Sequence, residues 1–396
     1  MNNETISPEI ETILAAKRNV FITGSAGTGK SFLLNQLREK YDLTVTASTG
    51  AAAVNVSGTT IHSFSGVGIG DKPAQALYYQ MRQGKRDAIQ TCKMLAIDEI
   101  SMLSAEMLDL IDAVFKLVRK SEEPFGGIQV IVIGDFLQLP PVSKDGNCRF
   151  AFESLAWEQA QFKVILLDKI YRQTDASFLD VLNNIRVGNP VEISSNTTPG
   201  NDTIRLYSVN SLADSYNLQK LRELKTPNFF YAAYDSGDAK GIALIDKHSL
   251  APKELYLRVG ARVMLLINKF DFGLVNGSMG TVVNLTPGEA TVRFDDGGTI
   301  SLGAEVASRV VVNKEEIARR TQIPLRLAWA ISIHKSQGMT LDKVFIDCQG
   351  IFESGQVYVA LSRVRKKEGL TLVNFRPEMV KANMKAVEFY RKLQVN

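Results

Sequence analysis

The sequence is poor in the residues that define several classes of protein. Its 396 residues include three cysteines and three histidines, and Cys92, Cys148 and Cys348 have no C-x-x-C spacing. This argues against a disulfide framework and a zinc site, and it is typical of a reducing compartment. No apolar run is long enough to cross a bilayer, and the first five residues lack the features of a signal peptide. We therefore expect a cytoplasmic protein with no membrane partner.

The sequence also lacks a strong charge bias. Lysine and arginine number 46 against 42 aspartates and glutamates, a net charge of +4. This small excess permits a nucleic-acid partner but does not argue for one. Hydrophobic residues make up 45% of the chain and charged residues 22%, which is typical of globular proteins. The length allows two to four domains with cores of their own.

The most informative segment is a glycine-rich loop between an apolar strand and a helix. Val20–Thr23 leads into the sequence GSAGTGKS, which fits the pattern G-x-x-x-x-G-K-S, and Phe32–Leu37 continues it with helical periodicity. In such a loop the backbone N–H groups surround the phosphates, the lysine reaches the β- and γ-phosphates, and the serine hydroxyl binds Mg²⁺. The sequence therefore predicts a nucleotide site formed by Gly27, Thr28, Gly29, Lys30 and Ser31.

A second motif places two adjacent carboxylates at the end of an apolar strand. Asp98 and Glu99 directly follow Met94–Ile97. A carboxylate at a strand end can bind Mg²⁺, and its neighbour can accept a proton from the attacking water. We therefore predict that Asp98 and Ser31 bind Mg²⁺ and that Glu99 is the general base. An isolated Asp-Glu pair also occurs at helix starts, but the glycine-rich loop upstream favours the catalytic interpretation.

A third apolar run leads into a loop with two polar side chains. Val130–Ile133 precedes Asp135 and Gln138, and we expect Gln138 to sense the γ-phosphate and Asp135 to support the water network.

Asn268–Asp271 fits the N-K-x-D guanine signature, but it lies in a glycine-rich β segment. The Asp98-Glu99 pair also differs from the D-x-x-G of GTPases. We therefore predict ATP rather than GTP as the substrate.

Apolar runs separated by helical stretches predict parallel sheets, and hence an α/β fold class. The first set is Val20–Thr23, Leu43–Ala47, Met94–Ile97 and Val130–Ile133, and the second is Val164–Leu167, Val344–Ile346 and Leu370–Val373. We expect the second set to form another α/β unit. Leu255–Asp271 and Gly277–Leu302 carry short strands separated by glycine-containing turns, which indicates a small antiparallel sheet or barrel inserted in that unit. We expect Asp71–Gly84 to form a smaller polar insertion in the first α/β unit.

Two arginines lie in short motifs that we assign to the second α/β unit. Arg172 belongs to Ile170–Gln173, and Arg363 belongs to Tyr358–Arg365. A planar guanidinium stays charged and binds phosphate oxygens bidentately, so both arginines are candidates for stabilising a transition state. Ile331–Thr340, which precedes Arg363, contains His334 and Lys335.

Taken in order, these segments resemble superfamily 1 helicases, and most closely the petite integration frequency (Pif) family of superfamily 1B 5′-to-3′ DNA helicases. The resemblance covers nearly the whole chain. It rests on GSAGTGKS, TASTGAAA (46–53), GTTIHSF (58–64), LAIDEISML (95–103), PFGGIQVIVIGDFLQLPPV (124–142), YRQ (171–173), LVNGSMGTV (274–282), SIHKSQGMTLDKV (332–344) and YVALSRVR (358–365). The family usually carries a glutamine ahead of the glycine-rich loop that reads adenine, whereas this chain has Glu9 and Glu11 there.

The resemblance implies two RecA-like P-loop NTPase domains with ATP between them. It assigns residues 1–64 and 81–168 to the first domain, with a wedge at 65–80. Residues 169–228 and 326–396 form the second, with a β-rich SH3-like insertion at 229–325. The implied nucleotide site comprises Gly27, Thr28, Gly29, Lys30, Ser31, Asp98, Glu99, Gln138, Arg172 and Arg363. The implied contacts with single-stranded DNA are Thr49, Thr60, His62, Pro140, Asn276, His334 and Lys335.

The implied function is that of an ATP- and Mg²⁺-dependent 5′-to-3′ DNA helicase in repair, recombination or replication. Its partners would be single-stranded DNA and junctions with duplex DNA, and we expect a nucleoid-associated monomer. G-quadruplexes and RNA–DNA hybrids are further substrates that the sequence leaves open. Two alternatives also stay open: an RNA-directed or translocating ATPase that does not unwind, and a nucleotide-switched binding module. The two arginine motifs favour hydrolysis over a simple switch.

Overall fold

The computed structural model describes residues 6–395 except 57, 69, 142–148, 194–199, 201–202, 275, 296–297, 313–314 and 352. Its contacts divide the chain into two compact units. Unit 1 comprises Met1–Arg172, Val311–Glu315 and Ala382–Asn396, and unit 2 comprises Gln173–Val310 and Glu316–Lys381.

The helices and the strands are each numbered in chain order. The helices are α1 Pro8–Ala15, α2 Lys30–Lys40, α3 Gly50–Asn55, α4 Ile61–Ser65, α5 Ala74–Gln80, α6 Gln83–Thr91, α7 Ala105–Arg119, α8 Leu155–Ala160, α9 Ala176–Arg186, α10 Asn210–Glu223, α11 Ala239–His248, α12 Gln356–Leu361 and α13 Met384–Val395. The strands are β1 Val20–Gly24, β2 Leu43–Ala47, β3 Thr59–Thr60, β4 Met94–Asp98, β5 Gln129–Gly134, β6 Lys163–Leu167, β7 Ile204–Tyr207, β8 Phe229–Ala232, β9 Tyr234–Gly237, β10 Glu254–Leu257, β11 Arg262–Leu265, β12 Met279–Leu285, β13 Ala290–Phe294, β14 Thr299–Leu302, β15 Glu305–Val312, β16 Glu315–Gln322, β17 Leu325–Leu327, β18 Ala330–Ser332, β19 Val344–Asp347 and β20 Leu370–Val373.

A parallel sheet forms the centre of unit 1. Within the described residues its strand order is β3-β2-β4-β5-β1-β6. Every residue of β1 is buried, as expected for a central parallel strand in an apolar run. Parallel strands end at the same edge of a sheet, which is where α/β proteins bind their ligands. The loops after β1, β2, β4 and β5 therefore start from one edge, and they contain most of the residues predicted for the nucleotide site.

The grouping of Val164–Leu167 with the second set of apolar runs was wrong, whereas the domain bounds implied by the resemblance had included these residues in the first domain. Strand β6 pairs in parallel with β1, from Val20 opposite Lys163 to Gly24 opposite Leu167, and so forms the edge of the first sheet. An apolar run indicates a strand but not the sheet it joins, because that choice depends on pairing with residues far away in the sequence. Among the residues of β6 only Ile165 is fully buried, which is typical of an edge strand.

The C-terminal helix α13 packs in unit 1, whereas the sequence groups it with the second domain. The Phe389 and Phe152 rings stack with centroids 4.2 Å apart. The Tyr390 hydroxyl lies 2.6 Å from the Thr23 hydroxyl at the end of β1, and it accepts a hydrogen bond of 3.2 Å from the Phe136 N–H after β5. Helix α13 thus forms hydrogen bonds both with the end of β1 and with the start of the loop that carries Gln138.

Unit 2 combines a parallel sheet with antiparallel ones. Within the described residues, the parallel sheet has the order β18-β7-β19-β20, which contains the predicted strands at 344–346 and 370–373. The predicted antiparallel insertion is confirmed by the sheet β14-β13-β12-β11-β17, whose apolar side chains form their own core. Smaller sheets pair β10 with β8, and β16 with both β15 and β9.

The structure also bears on the predictions for membrane spans, for the cysteines and for the wedge. Among the described residues, no helix is both long and apolar enough to cross a membrane. Cys92 and Cys348 are buried free thiols, and Cys148 lies outside the described residues. In the segment predicted to form a wedge, Gly66 ends α4 with a φ of 76°, and α5 anchors its far end through the buried Leu77.

We predict that Phe389→Ala lowers the free energy of unfolding of unit 1 by about 2–3 kcal/mol, because it removes a large aromatic contact from a partly buried cluster. Calorimetry measures the loss as a lower thermal midpoint. The control is Met384→Ala, since Met384 lies on the same helix but is 64% exposed. It should change stability by less than about 0.5 kcal/mol. Equal effects of the two substitutions would contradict the packing of α13.

Candidate nucleotide site

The glycine-rich loop joins β1 to α2 in a conformation that requires glycine. Gly27 and Gly29 have φ values of 89° and 85°, in the left-handed region that other residues rarely adopt. A Cβ at Gly24 would lie 2.4 Å from the Leu167 carbonyl oxygen, so β6 also excludes a side chain there. The Thr28 hydroxyl donates a hydrogen bond of 2.9 Å to the Ser25 carbonyl oxygen within the loop. The loop is therefore a tight turn that leads into the N-terminus of α2.

Lys30, the first residue of α2, folds back over this loop. Its Nζ donates hydrogen bonds to the carbonyl oxygens of Gly24 (2.7 Å) and Ser25 (2.9 Å). The ammonium group and the positive end of the α2 dipole thus lie at the same place. Because both attract negative charge, the loop fits the phosphates of a nucleotide.

Asp98 lies at the end of β4, where its carboxyl group is buried. Burial and the negative charge of Glu99 raise the pKa of Asp98 to about 7, against the opposing effects of the Glu99 backbone N–H and of Lys30. That N–H donates to Asp98 Oδ1 over 2.9 Å. A divalent cation would stabilise the ionised form of such a carboxylate. The donor set of Asp98 and the Ser31 hydroxyl therefore fits Mg²⁺.

The protein supplies few candidate metal ligands at this edge. Nowhere in the described part of the chain do three or more histidine, cysteine, aspartate or glutamate side chains gather into a group that could hold a metal ion. Mg²⁺ is usually bound by one or two carboxylates together with substrate phosphates and waters. A site with Asp98 and Ser31 as its protein ligands is consistent with that pattern.

Glu99 has an unusual backbone conformation that Ser48 stabilises. Its φ of 51° and ψ of 46° are left-handed, which costs a residue with a side chain about 1–2 kcal/mol. The Ser48 hydroxyl donates a hydrogen bond of 2.6 Å to the Glu99 carbonyl oxygen, and the Ser48 N–H donates to the Asp98 carbonyl oxygen over 3.0 Å. Ser48, which follows β2, thus fixes the carboxylate pair after β4. Its position in TASTGAAA gave no sign of this role.

The loop after β5 is held in place at Asp135 and Phe136. Asp135 is fully buried, and its Oδ1 accepts the Leu137 N–H over 3.1 Å. The Asp135 carbonyl oxygen accepts the Gln138 N–H over 3.0 Å. These bonds and the Tyr390 hydroxyl fix the start of the loop, and Gln138 itself is 6% exposed. The structure therefore positions Gln138 at the edge where β1 and β4 also end, since both strands flank β5.

The segment of Arg172 lies beside the glycine-rich loop. The Tyr171 N–H donates a hydrogen bond of 2.9 Å to the Gly27 carbonyl oxygen. A Cβ at Gly29 would lie 3.6 Å from Cε2 of Tyr171, whose side chain is 51% exposed. The backbone next to Arg172 thus lies beside the glycine-rich loop Gly24–Ser31, called the phosphate loop from here on. Tyr171 was not among the predicted site residues, and its ring offers a planar surface next to that loop.

Arg363, the second predicted arginine, is buried in unit 2. Its Nε donates to the Val359 carbonyl oxygen (2.9 Å), its Nη2 to the Ser362 hydroxyl (2.8 Å) and its Nη1 to the Ser336 carbonyl oxygen (3.4 Å). The guanidinium group is thus in contact with the segment that contains His334 and Lys335. The sequence predicted both motifs but not this contact between them.

The predicted DNA contacts of unit 1 lie after three of its strands. Thr49 and Thr60 follow or end the neighbouring strands β2 and β3, and each hydroxyl accepts a backbone N–H three residues ahead, from Ala52 (3.2 Å) and Ser63 (3.1 Å). His62 lies in α4, and burial lowers its pKa. Pro140 is half-buried in the loop after β5. The structure thus groups Thr49, Thr60 and His62, with Pro140 after another strand of the same sheet.

The predicted DNA contacts of unit 2 lie after β18 and before β12. His334 and Lys335 form a short 3-10 helix, and His334 Nε2 is 3.5 Å from Glu353 Oε2. Burial lowers the pKa of Lys335, and the charge of Arg326 adds to this effect. Asn276 is exposed, and it lines a cavity of about 640 Å³ together with Gly338 and Thr340. The structure therefore brings Asn276 close to the segment that follows Lys335.

Two other segments relate to the choice of nucleotide. Lys269 binds both carboxylate oxygens of Glu305, at 2.6 and 2.7 Å, and the Asn268 side chain accepts the Asn276 N–H over 2.8 Å. These contacts give the N-K-x-D match a structural explanation within the β-rich part of unit 2. In α1, Glu11 lies 2.5 Å from Lys40 in an exposed ion pair.

The fold and this edge define unit 1 as a RecA-like P-loop NTPase domain, and the parallel sheet of unit 2 is of the same RecA-like type. Residues 2–195 match the family model of the PIF1-like helicases, and residues 243–285 match that of the DNA helicase Pif1 2B domain. The chain is 43% identical over 407 residues to the ATP-dependent DNA helicase PIF1 of Danio rerio. That alignment covers 97% of this chain but 63% of the zebrafish protein, so the chain spans less than two thirds of that relative.

Solved structures give the same result over the whole chain. The Pif1 of Bacteroides sp in complex with ADP-AlF4 has a TM-score of 0.87 and 34% identity, covering 99% of this chain and 98% of that one. The Bacteroides Pif1 in complex with ADP-AlF3 and single-stranded DNA has a TM-score of 0.67 and 34% identity, covering 100% and 98%. The chain therefore belongs to the PIF1-like helicase family, as the motifs had indicated.

We predict that Ser48→Ala lowers the turnover of ATP hydrolysis about three- to tenfold, since the loss of one hydrogen bond of roughly 1 kcal/mol leaves the left-handed Glu99 less restrained. The affinity for ATP should change less than twofold, because Ser48 contacts the carboxylate pair rather than the phosphate loop. Steady-state kinetics separate the two effects.

The control for this experiment is Thr46→Val. Thr46 lies on β2, two residues before Ser48, and its hydroxyl donates to a carbonyl oxygen of β4, that of Ala96, over 2.7 Å. It does not contact the carboxylate pair, so turnover should be retained. A loss in Thr46→Val as large as that in Ser48→Ala would show that the two strands, and not Glu99, are affected.

Proposed function

We propose that the chain is an ATP-dependent 5′-to-3′ DNA helicase that moves along single-stranded DNA and unwinds duplex DNA at junctions. The observation that carries this proposal is the edge of the unit 1 sheet, where Lys30, Asp98, Glu99 and Gln138 follow strands that are neighbours. The relatives support it, since one is named an ATP-dependent DNA helicase and another was solved with a nucleotide analogue and single-stranded DNA.

Each residue at this edge has a role in the proposed hydrolysis. Lys30 exchanges its carbonyl partners for β- and γ-phosphate oxygens, while Ser31 and Asp98 hold Mg²⁺. When bound, Mg²⁺ supplies positive charge to the phosphate oxygens. Glu99, fixed by Ser48, accepts the proton of the attacking water, and Gln138 orients that water. The exposed ring of Tyr171 offers a stacking surface for the adenine base.

Arg172 and Arg363 complete the charge around the γ-phosphate in this proposal. A guanidinium that binds phosphate oxygens stabilises the negative charge of the transition state. Arg363 would leave its carbonyl and hydroxyl partners in unit 2 when ATP is bound, and return to them after hydrolysis. One of those partners is the Ser336 carbonyl oxygen. Loss of that hydrogen bond would therefore shift the neighbouring His334 and Lys335 and change their contacts with DNA.

The proposed DNA path uses contacts with the backbone of a single strand. Thr49, Thr60, His62 and Pro140 contribute from unit 1, and Asn276, His334 and Lys335 contribute from unit 2. Polar contacts of this kind position a strand without reading its sequence. We propose that the protein acts as a monomer in repair, recombination or replication, and that G-quadruplexes and RNA–DNA hybrids are additional substrates.

Strand displacement on tailed duplexes tests this function. The substrates carry a 5′ tail, a 3′ tail or blunt ends, with the tail made of DNA or RNA, and each is assayed with and without ATP and Mg²⁺. We expect unwinding only from the 5′ DNA tail and only with ATP. Unwinding only from the 3′ tail would contradict the polarity, and stimulation by RNA tails alone would favour the RNA-directed ATPase. Hydrolysis that single strands do not stimulate would favour the nucleotide switch.

We predict that Lys30→Ala abolishes ATP hydrolysis and unwinding, since the loop loses the charge that holds the β- and γ-phosphates. Binding to single-stranded DNA without nucleotide should stay within about threefold, because the proposed DNA contacts lie elsewhere. Fluorescence anisotropy with a labelled oligonucleotide measures that binding. A Lys30→Ala protein that unwinds DNA at the normal rate would refute the assignment of the loop.

We predict that Lys335→Ala weakens binding to single-stranded DNA about three- to tenfold and lowers the slope of log K against log salt by about 0.7, as expected for one lost phosphate contact. The control is Lys220→Ala, because Lys220 is a half-buried lysine on α10 of the same unit, paired with Glu223 at 2.7 Å. Equal salt slopes for Lys335→Ala and Lys220→Ala would exclude a phosphate contact at Lys335.

A further inference from the structure

Gln173 makes two buried hydrogen bonds to the segment of Arg363. Its side chain is 2% exposed, and its Nε2 donates to the carbonyl oxygens of Ser362 (3.0 Å) and Val364 (2.9 Å). These two carbonyls flank Arg363 on either side. A side-chain amide has two N–H donors on one nitrogen, so it can satisfy both acceptors at once. Gln173 also follows Arg172 directly in the chain.

The other edge of the same segment is held by Leu341. The Leu341 N–H donates to the Arg363 carbonyl oxygen over 2.9 Å, and the Arg365 N–H donates to the Leu341 carbonyl oxygen over 3.0 Å. Leu341 and Val364 therefore form an isolated parallel bridge. On the opposite edge, the Gln173 amide takes the place that a second neighbouring strand would occupy. The backbone on both sides of Arg363 is thus fixed from two directions.

The energetic consequence of losing the amide is local. A buried hydrogen bond contributes only modestly to stability, but a buried carbonyl oxygen left without a donor carries the cost of its lost hydration. Removing Gln173 would leave two such carbonyls next to Arg363. Gln173 belongs to unit 2, whereas the phosphate loop, Lys30 and the carboxylate pair belong to unit 1. A loss at Gln173 should therefore affect the arginine rather than the binding of ATP.

We propose that Gln173 is a positioning residue that ties the segments of the two arginines together, so that Arg172 and Arg363 act on the γ-phosphate in the same step. Arg172 is one peptide bond away from Gln173, and Arg363 lies between the two carbonyls that Gln173 binds. The amide thus fixes the residue that directly follows Arg172 to the segment that contains Arg363. This inference rests on the proposed ATP hydrolysis, and it adds a residue to which neither the motifs nor the resemblance gave a role.

The first test compares Gln173→Met with wild type. Methionine has a similar length and volume but no donor. We expect the turnover of hydrolysis stimulated by single-stranded DNA to fall about 10- to 100-fold, while the affinity for a fluorescent ATP analogue stays within about threefold, as for an interaction made in the transition state. A turnover within threefold of wild type, or a loss of nucleotide affinity equal to the loss of turnover, would overturn the proposal.

Gln322→Met is the matched control. Gln322 is also buried in unit 2, and its Nε2 also donates to two backbone carbonyls, those of Tyr231 (3.0 Å) and Pro252 (3.4 Å). It lies in the β-rich part of the unit, so its loss should lower the thermal midpoint about as much as Gln173→Met but leave turnover within about threefold. A similar loss of turnover in both variants would reduce Gln173 to a structural residue.

A double-mutant cycle separates positioning from general damage. If Gln173 acts through the arginines, Gln173→Met and Arg363→Ala together should lower turnover by much less than the product of their separate effects. Multiplicative effects would overturn the proposal. If Gln173→Met does not fold, Gln173→Asn replaces it in the same cycle, because it keeps the amide but is one methylene too short. Lys30→Ala tests the proposed hydrolysis separately, so failure of the function and failure of this inference give different results.

Discussion

Parallel hydrogen bonding between β4, β5 and β1 is the constraint on which the candidate site depends. Its register places Met94 opposite Gln129 and Val20 opposite Ile131, so the three strands end at the same edge of the sheet. The phosphate loop, the carboxylate pair and the Gln138 loop meet there without long connections. A slip of one residue would turn alternate side chains to the other face of the sheet and separate these groups. The buried apolar residues of the strands therefore determine where the chemistry can take place.

Two positive groups of the proposed site donate hydrogen bonds to backbone carbonyl oxygens in this structure. Lys30 binds two carbonyl oxygens of the phosphate loop, and Arg363 binds the carbonyl oxygens of Val359 and Ser336. Hydrogen bonds to a charged phosphate are roughly twice as strong as those to neutral groups. A phosphate oxygen of ATP would therefore be a stronger acceptor for either cation than these carbonyl oxygens. That difference gives a physical reason for a change of hydrogen-bond partners when a nucleotide binds, and Ser336 lies in the segment that we propose to contact DNA.

Sequence patterns predicted what depends on neighbouring residues. The glycine-rich loop, the Asp98-Glu99 pair and the apolar strands are local signals, and the family resemblance joined them into one fold. The grouping of Val164–Leu167 with the second set of apolar runs was wrong, because strand pairing is not local. Ser48, Gln173 and Tyr390 were missed for the same reason: their hydrogen bonds join residues 51, 189 and 367 positions apart in the chain. No short pattern records such contacts, although Gln173 lay next to a predicted arginine.

The central claim is that Arg363 of unit 2 stabilises the transition state of a reaction whose phosphate loop is in unit 1. The most direct measurement is the affinity of wild type and Arg363→Ala for ADP alone and for ADP with aluminium fluoride, a mimic of the transition state, with single-stranded DNA present. Wild type should bind the mimic at least about tenfold more tightly than ADP. Arg363→Ala should bind both ligands equally. A variant that keeps the full preference for the mimic would contradict the account.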